Sequence, residues 1–263
     1  MAYNLDNLSF GEWIKFIFDH PSKGTKDEKA WYWLDEWKSE FKNNSLQIEY
    51  LTKLFEKPEI LKNVHTREQI DQGLWFLMAS GYKEVHIRDY GDGEEEIDSA
   101  EFFEKRRTEK ENANKKGLKP NHGIVMLFND PRTSWLLREK CIKLMENLYN
   151  CLFLDDPIKS ASFMWWDEIC YDYFMKSEET VTEDGLKVQN AMFETLKNIL
   201  NSNTAYFQLC ALHGLGHLRH KDTGLLISEY LNRNDGLPKA VHDYAEGCIQ
   251  GTMDRIHVPY ECF

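Results

Sequence analysis

Three histidines in the segment CALHGLGHLRH, residues 210–220, are the side chains whose type and spacing could do chemistry. His213, His217 and His220 fall at positions i, i+4 and i+7 of a predicted helix, so they share one face. The apolar residues of the segment lie on nearly the opposite face, which is the face expected in the core. We therefore expect the histidines to point away from the main core, toward solvent, a groove or the next helix.

A carboxylate that could join these imidazoles comes from the following predicted helix. His242 and Glu246 share a face there at i, i+4. A site built from His213, His217 and Glu246 would hold two imidazoles and one carboxylate, a ligand set that suits zinc or iron. A metal-dependent enzyme using these three residues is therefore one hypothesis.

The same histidines have a simpler interpretation. Position 214 is glycine, so the segment lacks the H-E-x-x-H pattern that places a general base beside the ligands. His213 and His217 could hydrogen-bond across a helix pair, and His220 could meet the dipole at the end of its helix. The sequence favours this packing role, and it predicts no cofactor, with zinc or iron as the alternative.

Two glycines, Gly214 and Gly216, separate the histidines. Each costs a helix about 1 kcal/mol relative to alanine. Because they carry almost no side chain, they predict that a neighbouring helix approaches closely at this point.

The segment WYWLDEW, residues 31–37, is the other unusual cluster. We expect it to form a helix whose aromatic rings pack in the core. The alternative is a partner-binding surface of Trp31, Trp33 and Trp37, because Trp and Tyr are enriched in binding hot spots. His220 and His242 are further candidates for partner binding.

Other catalytic patterns find no support. The chain has no G-x-x-x-x-G-K-[ST], G-x-G-x-x-G or G-x-S-x-G. Cys210 lies near His213 in sequence, but a buried thiol is favoured over a nucleophile. The acidic pairs Asp155-Asp156 and Asp167-Glu168 are interpreted as solvated faces rather than acid–base pairs. No catalytic residue is identified.

Helical signals dominate the chain. Capping boxes are predicted at Ser9-x-x-Glu12, Thr25-x-x-Glu28 and Thr66-x-x-Gln69, and Asp130-Pro131 resembles an N-cap followed by proline at the first helical position. Only YKEVHIRDY and HGIVMLF could be short strands. Further helices are expected at about 45–56, 160–174, 184–201, 204–219, 223–233 and 238–253. The sequence therefore predicts an all-α fold.

The segment 91–119 is acidic first and basic later, with almost nothing that could enter a core. We expect an exposed loop or solvated helix there. It separates an N-terminal helical part, residues 1–90, from a C-terminal part, residues 120–263, and one continuous fold across both is expected.

Charge and composition limit the classes of partner. The formal net charge of −12 repels nucleic-acid phosphates and anionic membranes, and it suits either solubility or a basic protein partner. The N-terminus has no secretory pattern and no apolar stretch is long enough to cross a bilayer. The six cysteines contain no C-x-x-C pair, which fits a reduced, cytoplasmic protein.

Several segments carry a resemblance. ALHGLGHL resembles the first helix of HEAT-like repeats, LLISEYL the second, and AVHDYAEGCIQG the first helix of a following repeat. Together with SFGEWIKFIFDHP, EYLTKLFEKPEIL, EQIDQGLWFL and FMWWDEI, they look like a family of uncharacterised bacterial proteins with HEAT-like repeats in the C-terminal part. The resemblance implies a helical hairpin array in an α-solenoid or bundle with a charged insertion, and it implies no chemistry.

Three hypotheses for function follow. The first is a non-catalytic protein-binding scaffold, in one version an immunity-type protein that neutralises a basic toxin, because an acidic surface speeds encounter with a basic partner. The second is the metal-dependent enzyme. The third is a structural subunit of a larger assembly.

Overall fold

The computed structural model describes residues 3–21, 30–78, 123–154, 159–174 and 181–262. This part of the chain is predominantly helical, which confirms the all-α prediction. The arrangement as a HEAT-like solenoid stays a prediction. The α-helices are α1 Phe10–Phe18, α2 Asn44–Glu56, α3 Arg67–Met78, α4 Val125–Phe128, α5 Trp135–Leu144, α6 Lys159–Phe174, α7 Glu183–Leu200, α8 Ala205–Leu218, α9 Thr223–Arg233 and α10 Lys239–Gln250.

Two of the predicted capping boxes are confirmed. At the start of α1, the Ser9 hydroxyl accepts from the Glu12 N–H, while the Ser9 N–H donates to the Glu12 carboxylate. Thr66 and Gln69 exchange the same pair of bonds at the start of α3. The Thr25 box lies outside the described residues.

The segment WYWLDEW is not an α-helix, so that prediction was wrong. It forms two 3-10 turns, Trp31–Trp33 and Asp35–Trp37, followed by the short strand β2, Ser39–Glu40. This strand pairs in parallel with β1, Tyr3–Asn4. In this arrangement the Trp31 ring stacks on His20 at 3.7 Å between centroids and packs on Phe76 of α3, and such contacts between distant parts of the chain are not encoded in the local pattern.

Two further local predictions were wrong. HGIVMLF contains the helical turn α4 instead of a strand, whereas YKEVHIRDY lies outside the described residues. Asp130-Pro131 does not begin a helix, since α5 starts only after Ser134. The Asp130 carboxylate instead accepts hydrogen bonds from the side chains of Arg132 and Asn44, and so holds a turn between α4 and α5.

The remaining helix predictions agree with the structure to within a few residues. Helix α8 is the central element of the C-terminal part, and every residue from Leu209 to Leu218 is buried. It packs against α6, α7, α9 and α10. A helix that is apolar and covered all round lies inside a bundle, not on its surface.

No helix in the described part of the chain has the length and apolarity needed to span a bilayer. The charged segment 91–119 lies outside the described residues, and nothing tests the boundaries drawn on either side of it.

Candidate metal centre

Helix α8 brings two histidines into the interior of the bundle. His213 and His217 lie one turn apart and are only 7% and 4% exposed. Their rings meet edge to face at 4.6 Å between centroids. The expectation that they face solvent was therefore wrong, whereas its alternative, contact with another helix, is met at His213. A helical wheel of α8 alone leaves out its neighbours: Phe163 and Asp167 of α6 lie against the two histidines, and Asp254 approaches from the residues after α10.

The carboxylate beside these imidazoles comes from α6. Asp167 Oδ1 lies 3.1 Å from His217 Nε2, and Asp167 Oδ2 lies 3.8 Å from His213 Nε2. One ligand atom from each of the three residues lies within 4.8 Å of the other two. Among the described residues this is the group of side chains that could hold a metal ion. Two imidazoles and one carboxylate are a ligand set typical of zinc or iron(II).

His213 is held by contacts on its other sides. Its Nδ1 lies 2.6 Å from the hydroxyl of Tyr244 on α10, and its ring stacks on Phe163 of α6 at 4.3 Å. Its Nε2 is buried and has no hydrogen-bond partner in the described part of the chain. A buried nitrogen without a hydrogen bond costs about 1–3 kcal/mol, so this atom calls for an explanation.

Burial sets the charge of His217. It lowers the pKa of the imidazole to about 4, and although the nearby Asp167 acts in the opposite direction, the other imidazole and Arg219 reinforce the lowering. His217 is therefore neutral at neutral pH, the state in which imidazole binds a metal ion.

A second carboxylate approaches from the residues after α10. Asp254 lies on the 3-10 turn Met253–Arg255, and its Oδ1 is 3.8 Å from His217 Nε2. Its side chain is 24% exposed. Burial raises the pKa of Asp254, and the charge of Asp167 raises it further, against the effect of His213 and Arg219. Asp167 and Asp254 thus both approach neutral His217, and a divalent cation would offset the repulsion between the two carboxylates.

The two glycines of HGLGH explain how both carboxylates reach the histidines. A Cβ built on Gly214 would lie 2.5 Å from the Cβ of Trp166, the residue before Asp167. A Cβ on Gly216 would clash with the Sδ of Met253, the residue before Asp254. The predicted close approach at these glycines is therefore present, and it serves the carboxylates as well as the packing.

The structure places the predicted ligand Glu246 elsewhere. It is exposed on α10, whereas Tyr244 of the same helix is fully buried against His213. Positions two residues apart differ by about 200° around a helix, so both cannot face the site. The carboxylate beside the two histidines is therefore Asp167 of α6 and not Glu246. His242 is partly buried and belongs to no described metal-ligand group.

Of the residues predicted to form a partner-binding surface, Trp31 and His220 are buried. Trp31 is 4% exposed and lies in the core, which removes it from any surface in this structure. His220 lies beyond the end of α8, buried, with its ring stacked on Phe193 and its Nε2 2.8 Å from Asn190 Oδ1. Trp37 is partly buried. The side chain of Trp33 is not described.

Sequence reasoning missed Asp167, Tyr244 and Asp254. Asp167 stood in a pair interpreted as a solvated face, yet its side chain is only 19% exposed. The available signal was the pair of glycines, which indicated that other elements come close to the histidines. The favoured interpretation of Cys210 fits the structure, since the thiol is buried and burial raises its pKa.

Comparisons of this chain with protein-family models, with curated proteins and with solved structures give no match. The resemblance to HEAT-like repeats therefore stays a prediction, and function has to be argued from the site itself.

Proposed function

We propose that this protein binds one divalent transition-metal ion, zinc or iron(II), through Nε2 of His213, Nε2 of His217 and a carboxylate oxygen of Asp167. The observation that carries the proposal is the convergence of these three groups in a buried place. The buried His213 Nε2, which has no hydrogen bond within the described part of the chain, supports it independently. A metal ion would take up the lone pair of that nitrogen.

The surroundings of His213 fit this role. If Nδ1 carries the proton, it donates to the hydroxyl oxygen of Tyr244, and Nε2 presents its lone pair to Asp167 and His217. Ligating histidines usually donate their other N–H to an oxygen atom, which fixes the tautomer and the orientation of the ring. The stacking on Phe163 restrains the same ring from a second side.

The metal site bears on each of the functional hypotheses. A metal-dependent enzyme needs a coordination position open to water or substrate, and three protein ligands would leave one. A structural or regulatory metal needs a closed set. The scaffold that binds a basic protein remains a proposal supported by the net charge of −12, and neither Trp31 nor His220 supplies its exposed surface.

The test is metal binding by protein purified without an affinity tag. Zinc content is measured by elemental analysis, and affinity by competition with a chromogenic chelator. We expect one zinc ion per chain. Removing an outer partner of a metal ligand typically costs about 10–100-fold in affinity, so Asp167→Asn and His213→Ala should each cost at least that much.

The matched control is Glu246→Gln, which changes the carboxylate that the sequence alone suggested. We expect it to retain the affinity of the wild-type protein, because Glu246 is exposed and faces away from His213. Circular dichroism of each variant establishes that it is folded. Absence of stoichiometric zinc and iron in the wild-type protein, or equal affinity in folded Asp167→Asn, would overturn the proposal.

A further inference from the structure

The residues after α10 contact several of the side chains at the proposed metal centre. We call residues 251–262 the C-terminal tail. It contains the 3-10 turn Met253–Arg255, which carries Asp254, and ends in a second turn, Tyr260–Cys262. Met253 is 1% exposed and packs where Gly216 of α8 has no side chain. The Tyr260 ring contacts Phe163 at 5.1 Å, on the ring that also stacks on His213.

Asp254 lies beside one of the proposed ligands, His217, and just outside the group of Asp167, His213 and His217 whose ligand atoms all lie within 4.8 Å of one another. In a tetrahedral site with bonds of about 2.0–2.2 Å, neighbouring ligand atoms are about 3.3–3.6 Å apart. Asp254 Oδ1 lies 3.8 Å from His217 Nε2, the same separation as between Asp167 Oδ2 and His213 Nε2. To complete the set, the Asp254 carboxylate has to move toward His213 and Asp167 when the ion binds.

We infer that Asp254 is the fourth ligand of the metal, and that the ion fastens the C-terminal tail to α6 and α8. The inference rests on the proposed metal binding. It gives the site a closed set of two histidines and two aspartates, which is the pattern of a structural or regulatory metal rather than of a catalytic one with an open position. Metal binding then changes how firmly the tail is held, so the surface formed by the tail depends on the metal.

The tail also has amides whose exchange reports on this attachment. The Thr252 N–H donates to the Gly247 carbonyl, the Arg255 N–H to Thr252 and the Ile256 N–H to Met253. When the tail detaches from α6 and α8, these turns lose the packing of Met253 and open more readily, and hydrogen exchange measures the free energy of such local opening.

The experiment compares wild-type protein with Asp254→Asn in the presence and absence of Zn²⁺. In the wild type we expect zinc at 100 times its Kd to slow amide exchange across residues 251–262 by up to about 100-fold, because an opening that releases the ion also costs the free energy of binding. Asp254→Asn should bind zinc at least about 10-fold more weakly and lose the zinc-dependent protection of the tail. The control is Asp243→Asn on α10, an exposed carboxylate paired with Lys239, which should behave as the wild type.

The outcomes separate the two proposals. If the wild type binds no metal, the proposed function fails and the inference falls with it. If the wild type binds zinc but folded Asp254→Asn binds with the same affinity and its tail is protected equally, only the role of Asp254 is overturned. In that case the fourth position is open, and the metal-dependent enzyme becomes the favoured hypothesis.

Discussion

Gly214 lies so close to Trp166 that a methyl group on its Cα would stand 2.5 Å from the Trp166 Cβ. Helices α6 and α8 can meet at this distance only because residue 214 has no side chain. Trp166 is the neighbour of Asp167, and Gly214 is the neighbour of His213, so the contact that joins the helices also brings two of the proposed ligands together. The contact between Gly216 and Met253 repeats this arrangement for His217 and Asp254.

The first prediction concerns this contact. Gly214→Ala should reduce the free energy of unfolding by about 1–3 kcal/mol, because overpacking a core displaces backbone and side chains. It should also weaken zinc binding, since α6 carries Asp167 away from the histidines. Urea denaturation and the chelator competition assay measure the two effects.

The control for that substitution is Gly224→Ala in α9, where the nearest heavy atom to a new Cβ is 3.5 Å away. Alanine there makes an ordinary contact and limits the unfolded chain, so stability should stay equal or rise by about 0.4–1 kcal/mol. Equal stability of the two alanine variants would show that the helices do not meet as closely as Gly214 implies.

Local signals in the sequence were sufficient for much of the fold. The boxes at Ser9 and Thr66 are formed by residues three positions apart, and the helices of the C-terminal part follow from apolar periodicity. Gly214 and Gly216 correctly predicted close packing. In each case, the information lies within one helix or its first turn.

The proposed metal ligands could not all be predicted from such local signals. The sequence predicted a carboxylate from another helix, but it could not show whether this is Glu246 on α10 or Asp167 on α6. That depends on which face of each helix turns toward the histidines, and residue spacing within one helix does not determine it. The same limitation applies to His213 and His217, whose burial depends on α6 and the C-terminal tail rather than on α8. Residues 31–37 form 3-10 turns, and their sequence pattern gave no sign of the contact between Trp31 and His20.

A second prediction concerns Tyr244, whose hydroxyl holds Nδ1 of His213. Tyr244→Phe removes that oxygen and keeps the ring, so zinc affinity should fall by about 10–100-fold while the helical content stays the same. The competition assay measures the change. Tyr230→Phe is a suitable control, because the Tyr230 hydroxyl bonds to Gln208 Oε1, which belongs to no described metal-ligand group. A loss of zinc affinity as large in Tyr230→Phe as in Tyr244→Phe would argue against a specific role of the hydroxyl.

The third prediction is that the metal stabilises the fold. A ligand that binds only the native state adds about 2.7 kcal/mol to the free energy of unfolding when its free concentration is 100 times Kd. Zinc should therefore raise the urea midpoint of the wild-type protein, and a chelator should reverse the effect. In Asp167→Asn, the same zinc concentration should change the midpoint little. An identical zinc effect in both proteins would point to binding elsewhere on the chain.

The fourth prediction concerns pH and lies away from the metal. Hydrogen bonds from Arg132, aided by Asn44, lower the pKa of Asp130 from 3.8 to about 2. Because the folded pKa lies below the unfolded one, the stabilisation is fully present well above pH 4 and is lost as the pH falls toward 2. Asp130→Asn should reduce the free energy of unfolding by about 1 kcal/mol at pH 6, discounted because Arg132 is largely exposed.

The measurement for Asp130 is a series of urea unfolding curves from pH 6 down to pH 2.5. The difference between wild type and Asp130→Asn should shrink steadily below pH 4, because the wild-type carboxylate becomes protonated and loses its charge-assisted bonds to Arg132. Asp235→Asn changes an exposed carboxylate in the turn before α10 and should shift stability by less than about 0.5 kcal/mol across the series. A difference between wild type and Asp130→Asn that does not change with pH would mean that Asp130 stabilises the turn through its shape rather than its charge.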